Sequence, residues 1–429
     1  MTRLGLIVGM LLAPLALGQP TTYTVPIVGR TSVSFAIPGT APMTEAVVLQ
    51  NSGTDQTLAF ATGGAQPGAF IVASQGPAIV SGVPTSADAV ATAPGFVTSG
   101  GRTTLVAFSV GGAVTLGAMN GGQFGSIDAG NIASTTLLAM VAAPDGGAAL
   151  FVSNGTTITR YDIDGSQGIS IRQGFTISAN PTSGGGGDTP RALVVDGFGN
   201  AFRGFGYVGG GTLGDIYRFD AQLDGGDPEP YDVALVSNGR LAPPVTGLAL
   251  MPGRQSEYLL AANTQGLTVY DLTRLPVDAR NGAFILRGTD GQGTITAPGG
   301  VAATNLGINP GFPGGAIVVG NIPDRTLAML SWVDVKSTVD GGVVVDPGYD
   351  PRNGLFYNPT PDAGQSDGGF PPDAGDGGGR SPSGGGGPPS PGIPIDNGGS
   401  CTAAGGMPSL LPLLAVLVLA MALRGRRSR

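Results

Sequence analysis

Between residues 245 and 335 the chain is a series of short apolar runs separated by turn residues, and this pattern limits the fold more than any other feature. The runs contain four to six residues each, whereas amphipathic helices are longer and repeat every 3.6 residues. They cover residues 246–250, 258–262, 267–270, 283–286, 316–319 and 327–332. The pattern predicts β-strands joined by tight turns, with the segment from Gln292 to Gly300 as a loop.

The same rhythm extends toward the N-terminus. Predicted strands there cover residues 46–50, 56–61, 69–73, 103–110, 137–142, 148–153, 157–163 and 214–220, the last as an outer strand. No convincing helical period occurs between Thr21 and Ser337. The chain has 77 Gly and 35 Pro but only 12% charged residues, which favours many turns and few amphipathic helices. We therefore predict an all-β fold.

Composition also excludes several kinds of chemistry. The chain has no His, so imidazole metal sites and His-based triads are excluded. Its one Lys, Lys336, disfavours catalysis by lysine, and its one Cys, Cys401, allows no intrachain disulfide. The formal net charge is −8. Without residues 1–18 and 401–429 the 21 basic residues fall to 16 against 29 acidic ones, a net charge of −13. Such an acidic chain repels nucleic acid, which we exclude as a partner.

Several short motifs between residues 245 and 335 follow one another in a fixed order. They are Gly247-Leu248, the residues 263–266 (NTQG), Tyr270-Asp271, the residues 289–291 (TDG), the residues 312–315 (FPGG) and Ser331-Trp332. In order and spacing this series resembles the end of the β-propeller phytase family. Residues 44–76 resemble the family's first blade, and residues 188–206 the start of a later one, so that the resemblance covers about residues 31–337.

The resemblance implies a six-bladed β-propeller. A body of about 300 residues allows roughly 50 per blade, which suits four-stranded blades with their loops. Closing the ring would pair the first and last blades and remove open sheet edges. We therefore expect a propeller domain over residues 21–357.

Phytases of this family hydrolyse phosphomonoesters with calcium ions that carboxylates hold, so the resemblance implies a set of acidic ligands. Glu45 and Asp290 keep an acid at a matching position. Elsewhere the matching positions carry other residues: Thr44, Pro190 or Arg191, Arg203-Gly204, Val245-Thr246 and the acid-free segment from Gln292 to Gly300. Calcium is thus expected only if the phytase interpretation holds, with Glu45 and Asp290 as the candidate ligands.

The surviving residues also have simpler interpretations. Glu45 can be a solvated residue at a strand start, and Asp290 with Gly291 makes a favourable turn. Arg191 and Arg203 are candidates for direct anion binding, such as to a phosphorylated small molecule, or for ion pairs with Asp188 or Asp196.

The two ends of the chain predict export. Residues 1–18 combine Arg3, an apolar run and a small-residue exit, as a secretory signal peptide does. Residues 358–400 are rich in Gly, Pro and Asp and predict a disordered linker. Residues 401–429 contain Cys401, a hydrophobic helix and terminal arginines, and resemble the myxobacterial C-terminal sorting signal. That resemblance implies processing at Cys401 by a sorting protease, and an ordinary membrane anchor is the alternative.

Two main functions follow from the sequence. The first is an exported, surface-anchored, phytase-like propeller that binds a ligand or serves a structural role, with a degenerate metal site. The second is an active calcium-dependent phytase whose ligands an ungapped comparison misplaces. A generic surface propeller of the lactonase or repeat-scaffold kind, which shares only the blade rhythm, is a third.

Overall fold

The computed structural model describes part of the chain. The described residues are 21–32, 45–50, 57–62, 68–73, 76–82, 89–120, 123–130, 132, 137–143, 145–179, 190–196, 205–210, 215–221, 229–232, 245–253, 257–272, 283–295, 298–308, 310–321, 326–339 and 343–346. The chain divides into two compact units, Met1–Ala363 and Gly364–Arg429, and the described residues all belong to the first. The predicted signal peptide, linker and C-terminal tail, with Arg203 and Cys401, lie outside them.

Four sheets consist of four antiparallel strands each, in chain order. The first holds β2 (Glu45–Gln50), β3 (Thr57–Thr62), β4 (Gly68–Ala73) and β5 (Gly76–Gly82). The second holds β6 (Ala89–Thr98), β7 (Gly101–Val110), β8 (Ala113–Asn120) and β9 (Gln123–Ile127). The third holds β10 (Leu137–Ala142), β11 (Ala148–Ser153), β12 (Thr157–Asp164) and β13 (Ser170–Ser178). The fourth holds β14 (Pro190–Val195), β15 (Phe205–Gly210), β16 (Asp215–Asp220) and β17 (Glu229–Asp232).

A fifth sheet has nine strands and joins the two ends of the described chain. Its members are β1 (Thr21–Ser32), β18 (Gly247–Pro252), β19 (Glu257–Asn263), β20 (Gly266–Asp271), β21 (Phe284–Asp290), β22 (Gly293–Thr294), β23 (Pro298–Thr304), β24 (Ala316–Asn321) and β25 (Thr326–Ser331). Their order is β18-β19-β20-β21-β1-β25-β24-β23, with β22 beside β21. A short helix, α1 (Trp332–Thr338), follows β25.

Strand β1 occupies the centre of this nine-stranded sheet. Its first half pairs in parallel with β21, from Thr21 opposite Phe284 to Pro26 opposite Thr289. Its second half pairs antiparallel with β25, and the register shifts between Ile27 and Gly29. The N-terminal strand therefore covers two sheet edges that would otherwise be open.

We use the word array for each four-stranded sheet and for the two parts of the fifth sheet, β18–β21 and β23–β25. The first strands of these arrays contact one another in chain order. They are β2, β6, β10, β14, β18 and β23, and β23 also contacts β2. Buried apolar clusters fill the spaces between neighbouring arrays: one joins Leu105 and Leu116 to Leu150, and the next joins Phe151 to Leu193. Because strands alternate their side chains between two faces, the third array contributes one apolar set to the second array and another to the fourth.

The strand predictions are confirmed for the described residues, with three corrections. Trp332 begins α1 rather than ending a strand, and Trp332, Val335 and Val339 are buried at a helical spacing that the sequence already contained. Part of the predicted loop from Gln292 to Gly300 belongs to β22 and β23. The strand at residues 215–220 is not the outer one, because β17 pairs with it on the far side.

Local turn chemistry explains several of the hairpins. Between β10 and β11 the Asp145 carboxylate accepts a hydrogen bond from the Gly147 amide at 2.9 Å. Between β19 and β20 the Asn263 side chain accepts one from the Gln265 amide at the same distance. Asp and Asn favour turns because their short side chains can satisfy backbone amides two residues on.

Candidate functional site

Asp290 is the predicted metal ligand whose surroundings are best described. It is the last residue of β21, and its carboxylate faces the guanidinium of Arg30 on β1, with Nε 3.0 Å from Oδ2 and Nη2 3.4 Å from Oδ1. Oδ1 also accepts a hydrogen bond from the Gln292 amide at 2.8 Å. The carboxylate therefore already has a cation and a backbone donor as partners.

The same contacts control the protonation of Asp290. Desolvation raises its pKa, but the hydrogen bonds from Arg30 and Gln292 together with the charge of Arg30 outweigh this effect, so that the pKa lies below its usual value. Arg30 is also anchored to β25, since its Nη1 lies 3.3 Å from the Thr326 hydroxyl oxygen. Arg30 and its partners Asp290 and Thr326 therefore hold β1 to both of its neighbours, β21 and β25.

Two other predicted site residues, Glu45 and Arg191, lie on strands of other sheets than Asp290. Glu45 is the first residue of β2, the first strand of its sheet, whereas β21, which carries Asp290, is the fourth strand from β18. Arg191 is exposed on β14, at a point where the register between Pro190 and Ala192 shifts by one residue. Such a bulge turns a side chain away from the regular alternation. Among the side chains that the structure describes, Arg191 makes no contact with Asp290, and the side chain of Glu45 lies outside them.

Val245 and Thr246, where the resemblance implies acids, lie just before β18 at its close contact with β23. Val245 is buried, and the Thr246 hydroxyl lies within hydrogen-bonding distance of the carbonyl oxygens of Pro298 and Ala262. A Cβ atom placed on Gly247 would be 2.9 Å from the Gly299 carbonyl oxygen. Strands β18 and β23 thus approach each other backbone to backbone at Gly247, directly after the two positions at which the resemblance implies acids.

No group of three or more Asp, Glu or Cys side chains is placed to hold a metal ion in the part of the chain that the structure describes. Calcium needs six to eight oxygen ligands. The Asp290 carboxylate has two oxygens, and both already accept hydrogen bonds from Arg30 or Gln292. The donor set around Asp290 does not fit a calcium ion. Whether Glu45 binds one stays a prediction. In the described ranges there is also no helix of the length and apolarity needed to span a membrane.

Two ionisable groups were not predicted from the sequence, and the first is Glu257 at the start of β19. It is buried, and burial raises its pKa to about 8. Its position ahead of the apolar run Tyr258-Leu259-Leu260 was the available signal, because a strand start at a blade edge can be as enclosed as the strand itself. Arg30 was also missed, and its sequence neighbourhood carries no sign of a partner at Asp290.

No protein-family model matches this chain, and no curated protein matches it in sequence. Among solved structures it is similar to BBS1N, crystallised in complex with ARL6DN, with a TM-score of 0.43 and 13% identity over 71% of this chain and 97% of that one. It is similar to the β-propeller domain of Cps50 (Swd1) from Myceliophteria thermophila, with a TM-score of 0.39 and 11% identity over 68% and 99%. An α-L-arabinofuranosidase from Clostridium thermocellum gives 0.38 and 11% over 55% and 91%. At this level the similarities bear on neither activity nor partners.

Proposed function

We propose that residues 21–357 form a six-bladed β-propeller that binds a ligand or serves as a scaffold, without a calcium-dependent catalytic centre. The blade count is supported by the six first strands, which contact one another in a closed order from β2 through β23 and back to β2. Strand β1 would then complete the last blade beside β25 while extending along β21.

The single observation that carries the non-catalytic proposal is the joint between β18 and β23. Where the phytase pattern requires acids, Val245 is buried and the Thr246 hydroxyl donates a hydrogen bond to the Pro298 carbonyl oxygen of β23. The next residue, Gly247, lies against the backbone of Gly299. A carboxylate pair introduced there would have to be desolvated without enough ligands for an ion, which is strongly unfavourable. The position therefore serves packing between blades.

The ion pair between Asp290 and Arg30 also supports a propeller without a calcium-dependent centre. Asp290 is bound by Arg30, and a calcium ion would have to displace the guanidinium, thereby leaving a largely buried positive charge without its partner. The alternative, a calcium-dependent phytase, draws support only from the carboxylates at Glu45 and Asp290.

Phosphate release from phytate, measured with and without calcium, tests the proposal. The purified chain is expected to release no more phosphate than a propeller without phosphatase activity, at either calcium level. Calcium-dependent turnover that Glu45→Gln or Asp290→Asn abolishes would establish the phytase alternative. Asp164→Asn is the matched control, because Asp164 is an exposed turn carboxylate whose partner is the Ser166 amide.

We further propose that the propeller is displayed outside the cytoplasm. The supporting features are the N-terminal signal pattern, the Gly/Pro-rich segment and the Cys401-containing tail with its terminal arginines. Fractionation of cells that produce the full chain is expected to place the propeller in the envelope or the medium, and recovery from the cytoplasm alone would contradict this. Cys401→Ala tests the sorting signal, since it should leave the C-terminal tail uncleaved.

A further inference from the structure

Residues 343–346, which we call the strap, are held in an unusual way against the blades before them. The Val344 amide donates to the Tyr258 hydroxyl oxygen at 2.8 Å, and the Trp332 indole N–H donates to the Val344 carbonyl oxygen at 2.8 Å. The Asp346 amide donates to the side-chain carbonyl oxygen of Asn305 at 3.1 Å. Three side chains from separate parts of the chain thus bind the strap through its backbone.

The receiving surface, which we call the strap groove, consists of Tyr258, Trp332 and Asn305. Tyr258 and Trp332 are buried and pack edge to face, with ring centroids 5.4 Å apart. Their polar atoms converge on the two backbone groups of one strap residue. The groove is therefore formed by the folded blades and recognises main-chain groups, as grooves that bind extended peptides do.

The side chains of the strap alternate in the same manner as a bound peptide. Val343 is buried and Val345 packs against the core, whereas Val344 between them is 41% exposed. Gly314 makes room for this approach, because a Cβ atom there would collide with the Val345 side chain. Main-chain hydrogen bonds combined with anchoring of alternate side chains are the two components of strand-like peptide recognition.

The strap leaves the groove incompletely satisfied. Asn305 is fully buried, and its side-chain Nδ2 has no hydrogen-bond acceptor among the residues that the structure describes. An unsatisfied buried donor is unfavourable, so that a segment offering an acceptor at this point would bind more tightly than the strap does. In the sequence the strap is flanked by the turn-forming residues Gly341-Gly342 and Pro347-Gly348.

We propose that the strap groove is a binding site for an extended peptide with apolar side chains at alternate positions, and that the strap occupies it as a releasable ligand from the same chain. The inference goes beyond the proposed function and does not depend on it, since neither calcium nor Asp290 takes part. Release of the strap would open the groove to a peptide segment of a partner.

The one tryptophan of the chain, Trp332, reports directly on this site. In the full chain, Val343→Asp combined with Val345→Asp should release the strap, which shifts Trp332 emission to the red and exposes it to a soluble quencher. A synthetic peptide of residues 341–348 should then bind saturably and restore the emission and the quencher protection of the wild type. The same peptide with Asp at both valine positions is the control, and the wild-type chain should bind neither.

Two results would overturn the proposal: unchanged emission in the folded double variant, or a shifted emission that the peptide does not reverse. If the double variant does not fold, amide hydrogen exchange of the wild type decides. The Val344 and Asp346 amides should then exchange through a local opening at lower free energy than the Leu330 amide of β25. Exchange of all three only through global unfolding would show that the strap is an integral part of the fold.

Discussion

Arg30 and Asp290 are 260 positions apart in the chain, yet their guanidinium and carboxylate groups lie 3.0 Å apart. The pair fastens the N-terminal strand β1 to β21, and the contact of Arg30 with Thr326 fastens it to β25. Since β1 is the strand that joins the two ends of the described chain, the pair lies where the sheet closes. An acid that first suggests a metal ligand therefore has a defined structural partner.

Loss of either charge should weaken this closure. Hydrogen bonds to charged groups contribute roughly 1.5–3 kcal/mol, so Asp290→Asn and Arg30→Met should each lower the free energy of unfolding by about 1–2 kcal/mol. Because both remove one interaction, the double variant should lose less than the sum. Denaturant unfolding of all four proteins measures this coupling, and strictly additive losses would contradict it. Asp164→Asn is the matched control, because this carboxylate is exposed at the end of β12 and accepts a hydrogen bond from the Ser166 amide, and it should lose less stability than Asp290→Asn.

The same pair predicts a change of stability in acid. The folded-state pKa of Asp290 lies below its usual value, so its contribution is present above about pH 4 and is lost as the pH falls through the folded pKa. The stability difference between the wild type and Asp290→Asn should therefore have its full size at pH 7 and should shrink as the pH is lowered below about 4. A difference that stays constant across this range would show that the ion pair does not contribute.

Gly247 should tolerate no side chain at the joint between β18 and β23. A Cβ atom there would lie 2.9 Å from the Gly299 carbonyl oxygen and 3.2 Å from the Gly300 Cα, both backbone atoms that cannot rotate away. Overpacking of this kind costs about 1–3 kcal/mol, so Gly247→Ala should lower the thermal midpoint measurably. Gly291→Ala is the matched control, because nothing lies within 4 Å of a Cβ at that turn. Equal stability of the two variants would mean that the strands are not closely packed.

Glu257 should make the protein less stable as the pH rises. Burial raises its folded-state pKa to about 8, while in the unfolded chain it titrates near its usual value, about 4.3. The folded state therefore binds the extra proton between these values, and stability falls over this range by up to about 1.4 kcal/mol per pH unit. Glu257→Gln removes the titration, so its unfolding free energy should be flatter with pH and should exceed that of the wild type at pH 8. Parallel pH profiles of the two proteins would exclude a buried neutral carboxyl.

The strands could be predicted from the sequence because their signals are local. Apolar runs of four to six residues between Asp, Asn and Gly turns indicate hairpins, whereas helix α1 was missed because the apolar run before it extends through Trp332. The contact between Arg30 and Asp290 could not be predicted, because it depends on the pairing of β1 with β21, which are far apart in the sequence. The sequence likewise reveals that Val245 and Thr246 are not acids, but only the three-dimensional packing explains what they do instead.

Thermal unfolding in millimolar calcium tests the central claim most directly, because an ion that binds only the folded state raises the unfolding midpoint. We predict the same midpoint in calcium, in magnesium and with chelator for the wild type, and the same again for Glu45→Gln. A rise specific to calcium that Glu45→Gln or Asp290→Asn abolishes would contradict the account and restore the metal-dependent phosphatase.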